Sequence, residues 1–272
     1  MKVGYLGPEG TYTHAAVLKY FGQAVKGVPL TTIEDVFQEV EAGNVEFGVV
    51  PIENSTEGTI NHTLDMFMTS SLLICGEVEL RIRHHLLGSM KEFGAVLRVT
   101  AHPQALAQCR AWLREYLPQA ELIPASSNAE GALRASGEEG TAAIAGDAAA
   151  EVYGLNKITA DIEDRSDNTT RFFVIGNKAS PASANDRTSL LLSASDTEGA
   201  GALYKLLAPL AADDVNMTRI ESRPSQQRKW HYVFFIDIDG HIEDEHIARA
   251  LEHLEQNAQL FRVLGSYPKA VI

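Results

Sequence analysis

The stretch GNKASPASANDR, residues 176–187, divides the chain into two parts. It is rich in Ser, Ala and Asn and carries no hydrophobic periodicity, which is typical of a linker. It predicts one domain over residues 1–178 and a second over residues 188–268. The chain has 272 residues, which is more than one ordinary domain requires and enough for a large buried core.

After the linker, strand and helix patterns follow one another in a compact order. The helical segments are GALYKLLAPLAADD, with its leucines on one stripe, and EDEHIARALEHLEQN. The strand segments are TSLLLSA, MTRIESRP, WHYVFFIDI and LFRVLGSYP. The order β-α-β-β-α-β predicts a ferredoxin-like domain, in which two helices cover one face of a four-stranded sheet.

Before the linker, strands and helices alternate, which indicates an α/β fold with a parallel or mixed sheet. KVGYL and FGVVPI are predicted strands, and TIEDVFQEVEAG is a predicted helix that stops near Gly43. We expect LLICGEVELRIRHHLLG to be mostly strand and ALAQCRAWLREYL to form one helix.

Composition excludes several classes of protein. The net charge is −13 and no Lys/Arg cluster occurs, which argues against nucleic acid and anionic membranes as partners. No apolar run approaches a membrane span, and the start MKVGYLG lacks a signal-peptide core, so a cytoplasmic protein is expected. Cys75 and Cys109 are expected to be small buried residues. The histidines lack metal-ligand spacing, so no metal site is predicted.

Polar clusters follow two predicted strands. Asn54, Ser55 and Thr56 come directly after FGVVPI, and residues 167–171, DNTTR, precede FFVIG. Either cluster could be an ordinary turn or cap, but ligands of open α/β sheets bind at strand ends. Near the start, GYLGPEGTYTHAA joins a strand to a helix that Thr11 or Thr13 could cap. Its glycine spacing is not that of a dinucleotide loop, although a helix start could also contact an anion.

Four segments in order, GPEGTYTHAA, VPIENSTEGTI, AHPQALAQCRAWL and DNTTRFFVIG, together resemble the prephenate dehydratase family. GALYKLL followed by IESRP resembles the regulatory ACT domain of that family. The resemblance covers most of the chain and implies a catalytic region of two α/β lobes, similar to the type II periplasmic-binding-protein fold. The chain would cross to the second lobe near residues 75–79 and return before Asp167. No chorismate mutase segment precedes Met1, so the monofunctional form is expected. Ala200 stands where the family often has proline.

The resemblance implies conversion of prephenate to phenylpyruvate, with loss of carbon dioxide and water and with no cofactor. An arginine is suited to hold a substrate carboxylate, and a hydroxyl can donate to the departing oxygen. Adjacent strand residues point to opposite faces, and the resemblance selects Thr170 as the catalytic hydroxyl with Arg171 beside it. The implied substrate-binding residues are Thr11, Asn54, Ser55, Thr56, Asn168 and Thr169.

The resemblance also implies feedback inhibition by L-phenylalanine bound to the second domain, in a dimer or tetramer. The implied effector contacts are Gly201, Ala202, Leu203, Glu221, Ser222, Arg223 and Pro224. Glu221 and Arg223 could instead pair with each other. Two alternatives remain open: arogenate dehydratase, and a non-enzymatic amino-acid-binding sensor. A dinucleotide oxidoreductase is disfavoured by the glycine spacing.

Overall fold

The computed structural model describes residues 1–194, 199–225 and 231–270. The strands are β1 Lys2–Leu6, β2 Lys26–Leu30, β3 Phe47–Asn54, β4 Gly58–Thr59, β5 Leu73–Arg81, β6 His85–Gly88, β7 Arg98–Ala101, β8 Glu121–Pro124, β9 Thr141–Ala145, β10 Asn156–Thr159, β11 Thr169–Gly176, β12 Asp186–Ala194, β13 Met217–Pro224, β14 Tyr232–Asp239 and β15 Ala258–Pro268. The helices are α1 Tyr12–Phe21, α2 Ile33–Glu41, α3 Asn61–Thr69, α4 Pro103–Gln108, α5 Arg110–Tyr116, α6 Asn128–Gly137, α7 Asp147–Tyr153, α8 Ala202–Ala212 and α9 Glu245–Asn257.

The first sheet has the strand order β2-β1-β3-β11-β5, with β4 paired to β3. β1 is parallel to both β2 and β3, as alternating strands and helices predict. α2 begins with a capping box in which Thr32 and Asp35 satisfy each other's backbone N–H groups, and it buries Val36, Phe37 and Val40. β2 was not predicted, because KGVPL is short and only half-buried.

The segment expected to be mostly one strand is two strands in different sheets. β5 belongs to the first sheet and β6 to the second, so the chain crosses at residues 82–84 and not at residues 75–79. The break is stabilised by hydrogen bonds outside both sheets, since Ile82 N–H donates to the carbonyl of Asn168 and His84 N–H donates to the Glu163 carboxylate. The return falls between β10 and β11, in residues 160–168.

The second sheet has the order β10-β6-β9-β7-β8. Its predicted single helix after β7 is two helices, because Cys109 leaves the helical region with φ −112° and ψ 16°. The Asp164 carboxylate accepts the N–H groups of Ala111 and Trp112 at 2.9 and 3.2 Å and so caps the second helix. Periodicity alone could not place this break, since the capping group lies over 50 residues away.

The third sheet confirms the ferredoxin-like prediction. Its order is β13-β14-β12-β15, all neighbours are antiparallel, and residues 177–185 before it carry no helix or strand. α8 and α9 pack on one face around Leu190, Leu206, Ile236, Ile247 and Leu254. The mixed two-lobed α/β region followed by this domain is therefore the fold class that the sequence predicted.

The chain forms two compact units, each built from two stretches of sequence. One unit is Met1–Ile60 with Val78–Phe172, and the other is Asn61–Glu77 with Phe173–Val271. In the second unit, Arg262 donates to the carbonyls of Phe67 and Ser70. The contacts of the ferredoxin-like domain therefore extend to a segment far from it in sequence.

A buried ion pair belongs to the same unit. One guanidinium nitrogen of Arg187 lies 2.6 Å from both carboxylate oxygens of Glu77, and the Glu77 side chain is 1% exposed. None of the described helices has the length and apolarity needed to cross a membrane.

Candidate active site

The unit formed by Met1–Ile60 and Val78–Phe172 contains a half-open cavity of about 850 Å³, a size typical of small-molecule sites. Apolar side chains form much of its wall, including Leu6, Leu30, Ile60, Ile82 and Phe172. The polar side chains that line it include Thr11, Tyr12, Asn54, His84, His102, Gln108, Asn128, Asn168 and Thr170. Both sheets contribute, since several of these residues directly follow strands.

β11 presents alternate residues to the cavity. Thr170 and Phe172 line it, whereas Thr169 and Arg171 do not, as the twofold alternation of a strand requires. Arg171 is 9% exposed and is held away from the cavity wall by this alternation. The structure therefore does not bring Arg171 or Thr169 to the place where the sequence expected them to contact substrate.

Asn54 joins the two polar clusters that the sequence singled out. Its Nδ2 donates to Asn168 Oδ1 at 2.8 Å and to Thr170 Oγ1 at 2.7 Å. Its Oδ1 accepts the N–H groups of Thr56 and Glu57 at 3.0 and 3.1 Å, which fixes the orientation of the amide. Asn54, Asn168 and Thr170 are each less than one-tenth exposed, so the three side chains form a rigid buried group.

Ser55 and Thr56 support the group of Asn54, Asn168 and Thr170 through hydrogen bonds outside the cavity lining. The Ser55 N–H donates to the carbonyl of Thr169 at 2.8 Å, and its hydroxyl accepts the Thr169 N–H at 2.9 Å. Thr56 contributes its backbone N–H to Asn54. The side chains of Ser55 and Thr56 do not line the cavity, and neither does that of Thr169. The hydrogen bonds of these three residues align β3 with β11 and orient Asn54.

Thr11 lies at the start of α1 and lines the cavity. Its hydroxyl accepts the N–H of His14, which confirms the predicted helix cap. Gly10 before it has φ +84°, and a Cβ there would lie 3.0 Å from Ala149 and from Tyr153. Glycine is therefore required for this close approach of the α1 loop to α7.

Sequence reasoning missed Tyr12 in α1, His84 just before β6 and Gln108 in α4. The Tyr12 hydroxyl lies 2.9 Å from His84 Nδ1, and His84 Nε2 lies 2.7 Å from Gln108 Oε1. The same Gln108 oxygen accepts Asn168 Nδ2 at 3.2 Å, which connects these residues to Asn54 and Thr170. Burial lowers the pKa of His84 and raises the pKa of Tyr12 well above its ordinary value.

Two further helix starts line the cavity. His102 caps α4 and Ser127 caps α6, and the Ser127 hydroxyl accepts the Glu130 N–H at 3.0 Å. Both residues follow the carboxyl ends of strands, β7 and β8. Strand-end position, which had singled out Asn54, could have found them as well.

Apart from its histidines and Tyr12, the cavity lining contains no ionisable acidic or basic side chain among the described residues. Within the described ranges, no Lys, Arg, Asp or Glu side chain forms part of the wall. Positive potential comes instead from the first-turn N–H groups of α1 and α6, which are ten residues long each. In the part of the chain that the structure describes, no cluster of three or more His, Cys, Asp or Glu is placed to hold a metal ion.

The predicted effector residues lie in the second unit. Gly201, with φ +85°, is the N-cap of α8, and Ala202 and Leu203 form its first turn. The remaining effector residues, Glu221, Ser222, Arg223 and Pro224, end β13, which pairs only with β14 among the described strands.

Arg223 forms an ion pair with a residue of α3, and not the suggested pair with Glu221. Its Nη2 lies 2.7 Å from Oδ1 of Asp65 in α3. The suggested pairing across a turn is therefore replaced by a contact with a distant helix.

Comparison with known proteins gives the same assignment along the whole chain. The family model for prephenate dehydratase matches residues 3–180, and the model for the ACT domain matches residues 188–256. A bifunctional chorismate mutase/prephenate dehydratase of Pseudomonas aeruginosa is 52% identical over all of this chain and 74% of that protein.

Two solved structures are similar over nearly the whole chain. Prephenate dehydratase of Arthrobacter aurescens in complex with L-Phe is 35% identical, with a TM-score of 0.89, covering 99% of this chain and 90% of that one. A protein described as a quorum quenching acylase is 29% identical, with a TM-score of 0.90, covering 99% of this chain and 98% of that one.

Proposed function

The chain belongs to the prephenate dehydratase family, and we propose that its cavity converts prephenate to phenylpyruvate, carbon dioxide and water. Prephenate is a dianion and phenylpyruvate a monoanion, so one proton is consumed when the ring hydroxyl leaves as water. The ring becomes aromatic in the same step, which supplies the driving force. The protein has to hold two carboxylates, assist the departing hydroxyl and exclude water.

The observation that carries the proposal is the hydrogen bond from Asn54 to Thr170. Because Asn54 Nδ2 donates to Thr170 Oγ1, the threonine oxygen is an acceptor there and keeps its own O–H for another partner. Asn54 is the one hydrogen-bond partner of that hydroxyl among the described residues. Thr170 lines the cavity, so its O–H is available to the departing hydroxyl of the substrate.

The neutral wall suits the loss of a carboxylate. A ring carboxylate near Phe172, Ile82 and Leu30 would meet little solvation, and its departure as neutral carbon dioxide removes that cost. The pyruvyl carboxylate can bind at the first turns of α1 and α6, where N–H groups are unpaired within the helix. Arg171 is not part of this proposal, since it does not reach the wall.

The same wall favours prephenate over arogenate. Arogenate carries an ammonium group where prephenate carries a ketone, and a buried ammonium needs a carboxylate partner. Among the residues that the structure describes, no Asp or Glu lines the cavity. Hydroxyl and amide donors, by contrast, can bind the ketone oxygen.

The acylase among the structural relatives suggests a competing activity on the same cavity. Attack on an amide requires a nucleophile activated by a base within hydrogen-bond reach. The partner of the Thr170 hydroxyl is the Asn54 amide, and His84 bonds to Tyr12 and Gln108. This arrangement supports elimination over acyl transfer.

The second unit supports regulation by L-phenylalanine, acting as an allosteric effector at the start of α8 and the end of β13. The position of β13 at one end of the described sheet order supports self-association, as a dimer or tetramer. The acidic charge of −13 supports a chain that binds neither nucleic acid nor membrane and works in the cytoplasm. That the enzyme is monofunctional stays a prediction.

One assay with three substrates tests the proposal. The purified protein is mixed with prephenate, with arogenate or with an N-acyl amino acid, and phenylpyruvate, phenylalanine or free amine is measured without added cofactor. We expect phenylpyruvate formation to be the fastest reaction. Faster turnover of arogenate would overturn the substrate assignment, and amide cleavage without phenylpyruvate formation would overturn the reaction.

A further inference from the structure

The hydrogen-bond chain through the cavity wall has a fixed direction. Asn54 Oδ1 accepts two backbone N–H groups, so its Nδ2 must be the donor to Asn168 Oδ1. Asn168 Nδ2 is then the donor to Gln108 Oε1. Because that oxygen only accepts, the nitrogen of His84 that faces it at 2.7 Å, Nε2, must carry a proton.

The other ring nitrogen of His84, Nδ1, competes with a backbone carbonyl for one hydroxyl proton. The Tyr12 hydroxyl lies 2.6 Å from the carbonyl of Arg83 and 2.9 Å from His84 Nδ1. With His84 neutral, one phenolic proton serves two acceptors. With His84 protonated, Nδ1–H donates to the Tyr12 oxygen and the Tyr12 O–H donates to Arg83, so every group is matched.

The groups around His84 pull its protonation in both directions. The Gln108 contact favours the charged form, as does the charge of the Glu163 carboxylate, which accepts the backbone N–H of His84 at 2.9 Å. Burial and the neighbouring His85 oppose it, and burial dominates, so the pKa of His84 is lowered. Arg83, adjacent in sequence, is engaged by Asp161 and Glu163 at 3.1 and 3.6 Å. The thiol of Cys109, which interacts electrostatically with Tyr12, has its pKa raised by burial.

We propose that His84 takes up one proton from solvent when a dianionic substrate enters the cavity, and that the resulting imidazolium is the positive side chain that the substrate meets. This inference rests on the proposed function, which supplies the dianion. Among the described residues that line the cavity, only His84 and His102 have side chains that can become cations. Of these two, His84 has hydrogen-bond partners that are all matched once its ring is protonated. A dianion in a weakly solvated cavity stabilises that charge.

The sign of the pH dependence follows. His84 is neutral in the free protein above its lowered pKa and charged in the complex up to a raised pKa. Binding therefore includes a proton in the interval between them, and is lost as pH rises through it. Both carboxylates of prephenate stay ionised there, so KM is expected to rise by up to about tenfold per pH unit through that interval, which begins below the ordinary pKa of histidine.

Steady-state kinetics between pH 6 and 9 tests this, with the enzyme-free reaction subtracted. His84→Gln should flatten the rise in KM, while His62→Gln, at an exposed histidine of α3, should keep it. Tyr12→Phe removes the acceptor for Nδ1–H and should move the rise to lower pH. A flat KM in the wild-type protein, or the wild-type rise retained in His84→Gln, would overturn the inference. Absence of any turnover would instead overturn the proposed function.

Calorimetry keeps the inference testable should His84→Gln fail to fold. Prephenate is titrated into the Thr170→Ala variant at pH 7.5 in phosphate and in Tris, whose ionisation enthalpies differ. We expect the binding enthalpy to depend on the buffer, with proton uptake approaching one per chain. Equal enthalpies in the two buffers mean that no proton is taken up and contradict the role given to His84.

Discussion

Asn54 Nδ2 lies 2.7 Å from Thr170 Oγ1, and this hydrogen bond joins two residues that are 116 positions apart in the chain. The amide is locked by two backbone N–H groups, so its donor side can point only toward Asn168 and Thr170. This one contact determines which way the threonine hydroxyl faces, and hence what the cavity can do to a leaving group.

Asn54→Asp tests that contact. A carboxylate at this position accepts where the amide donates, so the Thr170 O–H would turn to it and away from substrate. Turnover should fall by about 10²-fold or more, the usual effect of losing a preorganised donor. Asn44→Asp, which adds the same charge at an exposed loop, serves as the control and should leave turnover unchanged. Normal turnover in Asn54→Asp would remove the basis for the assignment of the hydroxyl.

Arg171→Lys separates a structural from a substrate-binding arginine. Arg171 is 9% exposed and lies on the face of β11 that the cavity does not use. Lysine cannot reproduce the planar guanidinium, so the melting temperature should fall. The KM for prephenate should stay close to the wild-type value. A raised KM at an unchanged melting temperature would show that the arginine reaches the substrate after all.

How far the sequence predicts this fold depends on whether the determinants are local. α2 has a capping box in its own sequence, and α9 has an apolar stripe at helical spacing. Both helices are found as expected. The break at Cys109 and the crossing at residues 82–84 depend on Asp164, Glu163 and Asn168, which come from distant segments. No local pattern contains that information.

The site divides in the same way. Thr170 follows from strand parity together with the resemblance, and Asn54 from its position after a buried strand. His84 and Gln108 could not be found from spacing, because their importance lies in contacts made across three segments of the chain. Arg171 has a residue type that suits a substrate carboxylate, but its parity in the strand places it outside the cavity lining.

Gly201→Val tests regulation. Gly201 caps α8 with φ +85°, a conformation that valine adopts only with strain, and the first turn of α8 is a predicted effector contact. The phenylalanine concentration for half inhibition should rise between about 5- and 150-fold, the usual range of allosteric coupling. Activity without phenylalanine should be retained.

The matched control for that variant is Gly22→Val. Gly22 has φ +81° and, like Gly201, has no atom of the described residues within 4 Å of the position that a Cβ would take. It should leave inhibition unchanged. Equal loss of inhibition in both variants would mean that general destabilisation, and not the effector contact, is responsible.

Asp65→Asn tests whether the ion pair with Arg223 competes with the effector. An arginine held by Asp65 at 2.7 Å is less available to a ligand carboxylate, so its release should lower the phenylalanine concentration needed for inhibition several-fold. Asp213→Asn breaks an ion pair with Arg249 in the same unit and is the control. An unchanged or weaker response in Asp65→Asn would exclude Arg223 as an effector contact that the pair restrains.

The most direct measurement is turnover of prephenate by Thr170→Ala beside Thr169→Ala. The two threonines are neighbours in β11, but only Thr170 lines the cavity and receives the Asn54 amide. Thr170→Ala should lower kcat by about 10²- to 10⁴-fold with little change in KM, because the hydroxyl acts on the departing oxygen in the transition state. Thr169→Ala should keep kcat near the wild-type value. Near-normal kcat in Thr170→Ala, or an equal loss in Thr169→Ala, would contradict the account.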